Sequence, residues 1–132
     1  MESKKPDFLT GDRYASLSNA ELVKSAPGSA LAKMTISSKH LNALDIAHGG
    51  AIFTLADYAF GAAANSYGNP AVCLQASISF IKACSAGTIY AEAREISRRR
   101  TIGTYQVCVR DEAGETVAHF TATAYFKNPN KS

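Results

Sequence analysis

The chain has 132 residues, 46% apolar and 19% charged, enough for one domain with a core of its own. Fourteen basic against 11 acidic residues leave a formal charge of +3, which tolerates an anionic ligand but falls short of the basic stripe that nucleic-acid binding needs. Cys73, Cys84 and Cys108 are odd in number and lack CxxC spacing, so they are read as reduced, partly buried thiols.

Residues 1–18 are polar and are read as a loose arm or a short helical turn ahead of a single domain at 19–128, with 129–132 as a tail. No apolar run follows the early lysines, so neither a secretory signal nor an anchor is expected, and the location is read as cytoplasmic. Residues 21–24 and 29–36, broken by Pro27-Gly28, predict a hairpin. A connector at 38–47, containing Asn42, leads to His48-Gly49-Gly50.

The segment from Ala51 to Ala64 is apolar or small on every side, the pattern of a helix surrounded by protein. A central Asp57, an internal Gly61 and many alanines keep it short of the roughly 20 continuously apolar residues of a membrane span. The two glycines let a ligand approach the backbone, at the N–H end of the helix dipole. Gly68 and Pro70 are expected to close the helix. Asp57 breaks the pattern: a lone carboxylate there is costly to desolvate unless paired or used, and no Lys or Arg lies between Lys39 and Lys82. It is the leading functional candidate.

Beyond Pro70 the alternation has period two through residues 72–82, 88–98, 101–110 and 115–126. Breaks at Ala86-Gly87, Arg99-Arg100 and 111–114 have hairpin lengths, so the four strands are expected to be antiparallel neighbours. Two strands, one helix and four strands give an α+β fold. A helix apolar all round needs either a sheet curled around it or a second subunit.

Asn42, His48-Gly49-Gly50, Leu55-Ala56-Asp57 and Asn65 resemble the N…HGG…(L/V)AD…N signature of the hotdog-fold acyl-CoA thioesterases of the phenylacetyl-CoA thioesterase type. The likeness runs on through Arg100, Tyr105 and the turn at 111–114, and covers roughly residues 21–126. It implies a hotdog fold, an antiparallel sheet wrapped around one long central helix, in dimers that pair into tetramers. It also implies hydrolysis of acyl-CoA, with CoA as part of the substrate and no separate cofactor. By position, Asp57 would be the catalytic carboxylate and the Gly49 or Gly50 N–H would polarise the thioester carbonyl. Asn42 would hold the water or carbonyl, and His48 would shape the loop. Where some relatives place a strand Ser or Thr to position the water, this chain has Cys73, with Gln75 and Ser77 as neighbours.

The chemistry is consistent with this. A thioester needs an oxyanion site and an attacking oxygen, because a thiolate leaves readily; helix N-terminal N–H groups can supply the first. Asp57 can attack directly or take a proton from water. Gly49 and Asp57 stand roughly 12 Å and about 80° apart on a helix, too far to act on one carbonyl, so if both act the active unit is a dimer. Lys82, Arg99 and Arg100, beside Arg98, form a candidate cationic rim for the phosphates of CoA, with Arg100 the best positional match to the family. No metal is expected, since His40, His48 and His119 have no ligand spacing. Asn65 and Tyr58 are read as packing or capping residues and His119 as outward-facing. The competing functions are a hotdog hydratase or dehydratase of enoyl-CoA and a non-catalytic acyl-CoA-binding module.

Overall fold

The computed structural model describes residues 11–127. Asp12 opens the helix α1 (Arg13–Leu17), its Oδ1 accepting the Ala15 N–H at 3.0 Å, which satisfies a donor that the helix end cannot. Ala15 is 2% exposed and belongs to the core, so packed structure starts before residue 19. β1 (Glu21–Ala26) and β2 (Ser29–Thr35) form the expected hairpin. At its turn Gly28 adopts φ +77°, and a Cβ there would come within 2.9 Å of the Tyr67 hydroxyl, so both backbone and space call for glycine.

A 3₁₀ turn (Ser38–His40) leads to the long helix α2 (Gly49–Ala64), followed by β3 (Ala71–Phe80), β4 (Thr88–Arg98), β5 (Ile102–Arg110) and β6 (Thr116–Phe126). The strands make one six-stranded sheet in the order β1-β2-β4-β5-β6-β3, with every pairing antiparallel. α2 touches all six strands, so the sheet wraps on one helix, as expected for a hotdog fold. The core lies between them: Leu55, Ala56, Ala59 and Phe60 of α2 pack with Met34, Ile89, Tyr105, Val107 and Phe120 of the sheet. Phe60 meets Tyr105 edge-on at 5.5 Å and Phe53 meets Phe120 at 5.3 Å, geometries that suit the ring quadrupoles.

One expectation fails: β3 and β4 are not neighbours. β3 pairs with β6 at the sheet's edge, while β4 lies between β2 and β5. Residues 81–87 therefore cross over rather than turn back, tied down where the Ile81 N–H donates to the Val117 carbonyl and the Ala47 N–H to that of Cys84. Period-two alternation marks a strand but not its partner, and a loop of hairpin length can also make a short crossover.

α2 ends differently from the expectation too. Asn65 is its C-cap, with Nδ2 donating to the Gly61 carbonyl at 2.8 Å and Oδ1 accepting the Ala71 N–H at 2.8 Å. Gly68, at φ +94°, serves the turn beyond. The helix is also not covered all round. Gly50 and Phe53 are exposed, Thr54 and Asp57 are half-exposed, and a Cβ on Gly61 would meet nothing within 4 Å. These positions recur every three or four residues, so they form one stripe, on the face that a single sheet cannot reach.

Candidate active site

The helix start is built by two histidines. His40, 4% exposed, donates from Nε2 to the Ser18 carbonyl at 2.7 Å and accepts the Ser37 N–H on Nδ1 at 2.9 Å. Its own carbonyl accepts the His48 N–H at 2.7 Å. His48 is the N-cap of α2, and its Nδ1 accepts the Gly50 N–H at 2.8 Å. The Gly50 donor is therefore occupied, whereas the Gly49 N–H has no partner among the described residues. Phe80 lies over Gly49, its Cζ 3.0 Å from where a Cβ would sit. Asn42 turns its Oδ1 back on its own loop, accepting the Leu44 N–H at 2.8 Å and the Ile46 N–H at 3.3 Å. That Asx turn shapes the approach to His48.

Asp57 stands two turns along, on the open stripe. It lines a cleft of about 270 Å³ with Asp12, Tyr58, Phe60, Asn65 and Cys73. Among the described residues no cation pairs with it. Burial first, and the neighbouring Asp12 carboxylate second, hold its pKa above the ordinary carboxylate value, because both disfavour a further negative charge. The Cys73 thiol is pushed up as well, by burial and then by Asp57. A second cleft, of about 450 Å³, opens at the helix start beside His48, Gly50, Thr54, Tyr14 and Lys39. Helix start and carboxylate thus belong to separate openings within one chain, as their spacing required.

The structure sorts the remaining candidates. β3 bulges between Cys73 and Gln75. Cys73 is paired with buried Ala124 on the helix side, but beyond the bulge Ser77 pairs with exposed Thr121 on the outer face. The extra residue reverses the phase of the strand, so Ser77 does not join Asp57. Lys82 also leaves the candidate rim: its Nζ is held by Asp111 at 2.6 Å and by Glu115, at the end of β5 away from Arg99 and Arg100. Nine residues of β5 separate the two ends, roughly 30 Å at about 3.4 Å per residue. Arg98 lies 3.9 Å over the Tyr67 ring and 4.8 Å over that of Phe126. Arg99 and Arg100 are exposed and make no ion pair among the described residues.

Asn65 proves to be a cap and His119 points outward. Cys73, Cys84 and Cys108 are free thiols, with Cys73 exposed. Among the described residues no helix is long and apolar enough to cross a membrane. Asp12, which lines the Asp57 cleft, is a residue that the sequence did not bring forward. Its one local signal is an Asp ahead of Arg-Tyr-Ala-Ser-Leu, a helix-capping position, and capping says nothing of a carboxylate some 45 residues away.

Residues 44–118 match the Thioesterase superfamily. The acyl-coenzyme A thioesterase PaaI of Escherichia coli K12 is 31% identical over 115 residues, covering 86% of this chain and 82% of that one. The structure of E. coli PaaI, from the phenylacetic acid degradation operon, superposes with a TM-score of 0.88 at 30% identity, covering 92% of this chain and 88% of that one. The TT0310 protein of Thermus thermophilus has a TM-score of 0.82 at 36% identity, over 86% of this chain and 97% of that one. The smu.793 protein of Streptococcus mutans UA159, solved with acetyl CoA bound, has a TM-score of 0.79 at 32% identity, over 83% and 89%. With its wrapped six-stranded sheet and these likenesses, the chain belongs to the Thioesterase superfamily and is a thioester hydrolase of hotdog fold.

Proposed function

We propose that the protein hydrolyses acyl-CoA thioesters to the free acid and CoA, with Asp57 as the base or nucleophile and the Gly49 N–H as oxyanion donor. The observation that carries this reading is the Asp57 carboxylate itself: half-buried, facing a cleft, unpaired by any cation among the described residues, and held by burial above the ordinary carboxylate pKa. The similarity to a relative solved with acetyl CoA supports the CoA ester as substrate class.

In the general-base form, Asp57 takes one proton from water as the water oxygen attacks the carbonyl carbon. The carbonyl oxygen gains charge against the Gly49 N–H, at the positive end of a 16-residue helix. The C–S bond then breaks, its electron pair leaves on sulfur, and the proton held by Asp57 goes to the thiolate. In the nucleophilic form the carboxylate oxygen attacks instead, the C–S bond breaks with its electron pair leaving on sulfur, and water then hydrolyses the anhydride to the free acid, returning Asp57 and passing a proton to the thiolate. Either way Gly49 and Asp57 come from different copies of the chain, so the active unit is a homodimer with two equivalent sites, with two dimers assembling as a tetramer. The uncovered stripe of α2 and the apolar edge strand β3, with Val72, Leu74 and Phe80 exposed, supply the surface a second copy would cover. Cys73 lines the acyl or water side of the cleft, while Arg99 and Arg100 meet phosphate.

The test is release of free thiol from a panel of short, long and aryl acyl-CoA esters by wild type and Asp57→Asn. Turnover of at least one ester, lost by about 10² or more in the variant, supports the reading. Hydration of an enoyl-CoA without hydrolysis would overturn it.

A further inference from the structure

Asp12 and Asp57 come from elements 45 residues apart in sequence, yet line the same cleft. Asp12 is held there by structure rather than by chance. Its Oδ1 caps α1 through the Ala15 N–H, and α1 is anchored by Ala15, 2% exposed in the core. The other end of α1 is fixed by His40, whose Nε2 donates to the Ser18 carbonyl, and by Lys39, whose Nζ donates to the Leu17 carbonyl at 3.0 Å. The same His40 positions His48 at the start of α2. One set of contacts therefore fixes α1 against both the helix start and the carboxylate cleft.

The groups that face Asp57 in this cleft are Asp12 from the cap of α1, Tyr58 from its own helix and Cys73 from β3. Burial pushes both the Tyr58 phenol and the Cys73 thiol upward, so each stays neutral through the acid and neutral range. Asp12 is then the charge that faces Asp57 among the described residues.

We propose that Asp12 is a positioning residue of the reaction, acting through Asp57: its carboxylate, presented by the α1 cap, makes Asp57 a better proton acceptor or nucleophile. A second negative charge across the cleft favours the protonated form of Asp57, in the direction found for that group. A carboxylate with a raised proton affinity is the stronger base once it is ionised. The inference rests on the reading of Asp57 as the reactive group.

The substitution that isolates the charge is Asp12→Asn, with Asp12→Ser as a second form, because Asn and Ser cap helices about as well as Asp. The readout is the pH dependence of kcat/KM on an acyl-CoA that wild type turns over, followed by loss of thioester absorbance. Both neutral variants are expected to shift the acid limb to lower pH, raising the rate on that limb, relative to each enzyme's own plateau, by about twofold or more. Asp12→Glu, which restores the charge, is expected to return the limb toward its wild-type position. Profiles of the Asn and Ser variants that superimpose on wild type, with Asp57→Asn inactive, would overturn this inference alone. Full activity in Asp57→Asn would overturn the reading of Asp57 and this inference with it.

Discussion

Gly49→Pro removes one atom group and little else. Gly49 is the first residue of α2, where proline is favoured and where the missing N–H has no intrahelical partner to lose. The preceding His48 has φ −63° and ψ 137°, the extended conformation that a residue before proline prefers. A Cβ at this position meets the tip of the Phe80 ring, at 3.0 Å, the far end of a flexible side chain. Losing one oxyanion donor costs about 10² to 10³ in kcat, so Gly49→Pro should fold normally and turn over at that reduced rate. Within one chain, eight residues of helix separate Gly49 from Asp57 by roughly 12 Å, whereas a reacting carbonyl must lie about 3 Å from each group. Gly49→Pro and Asp57→Asn should therefore complement each other. Random pairing of equal amounts gives half heterodimers, each with one intact site of two, so about a quarter of wild-type sites return in the mixture and about half in the purified heterodimer. The assay is thiol release after co-refolding differently tagged variants and purifying the mixed species. Activity no greater than the sum of the parents would refute the two-subunit site.

Four further outcomes are expected. Burial and Asp12 raise the folded-state pKa of Asp57, so its contribution to stability is full below the unfolded pKa and lost as pH rises through the folded one. Asp57→Asn should thus raise Tm more at pH 7 than at pH 4 in a thermal melt, and an equal gain at both would count against the buried charge. Arg99→Ala and Arg100→Ala should each raise KM for acyl-CoA by about tenfold while sparing the corresponding acyl-pantetheine, since the proposed charge-assisted phosphate contact would be lost. Lys82→Met should leave that KM near wild type, because its ammonium is already held by Asp111 and Glu115. Gly103→Ala would place a Cβ 2.8 Å from Phe126 Cζ and 2.9 Å from Tyr105 Cε1, in two rings at most 1% exposed. Such overpacking should cost about 1–3 kcal/mol in urea unfolding.

Much of this architecture was legible in the order of residues. The apolar run ending at Ala64, the helix-start residue His48, the turn at Pro27-Gly28 and the alternating strands are local patterns, each decided within about ten residues by backbone sterics and side-chain period. An unpaired Asp57 in an oily helix was legible for the same reason, as was its distance from Gly49. A resemblance to a known thioesterase signature added what local patterns do not carry, the wrapping of the sheet and the chemistry.

The tertiary structure alone decided which strand β3 lies against, since alternation is silent on partners and β6 arrives some 45 residues later. It decided that the bulge after Cys73 turns Ser77 outward, that Lys82 is tied up by carboxylates 29 and 33 residues away, and that the Gly50 N–H is spent on His48 while that of Gly49 is not. It also brought Asp12 to Asp57. Each of these depends on groups distant in the chain meeting at a few ångströms, and such meetings are set by packing and long-range register, which no local period encodes.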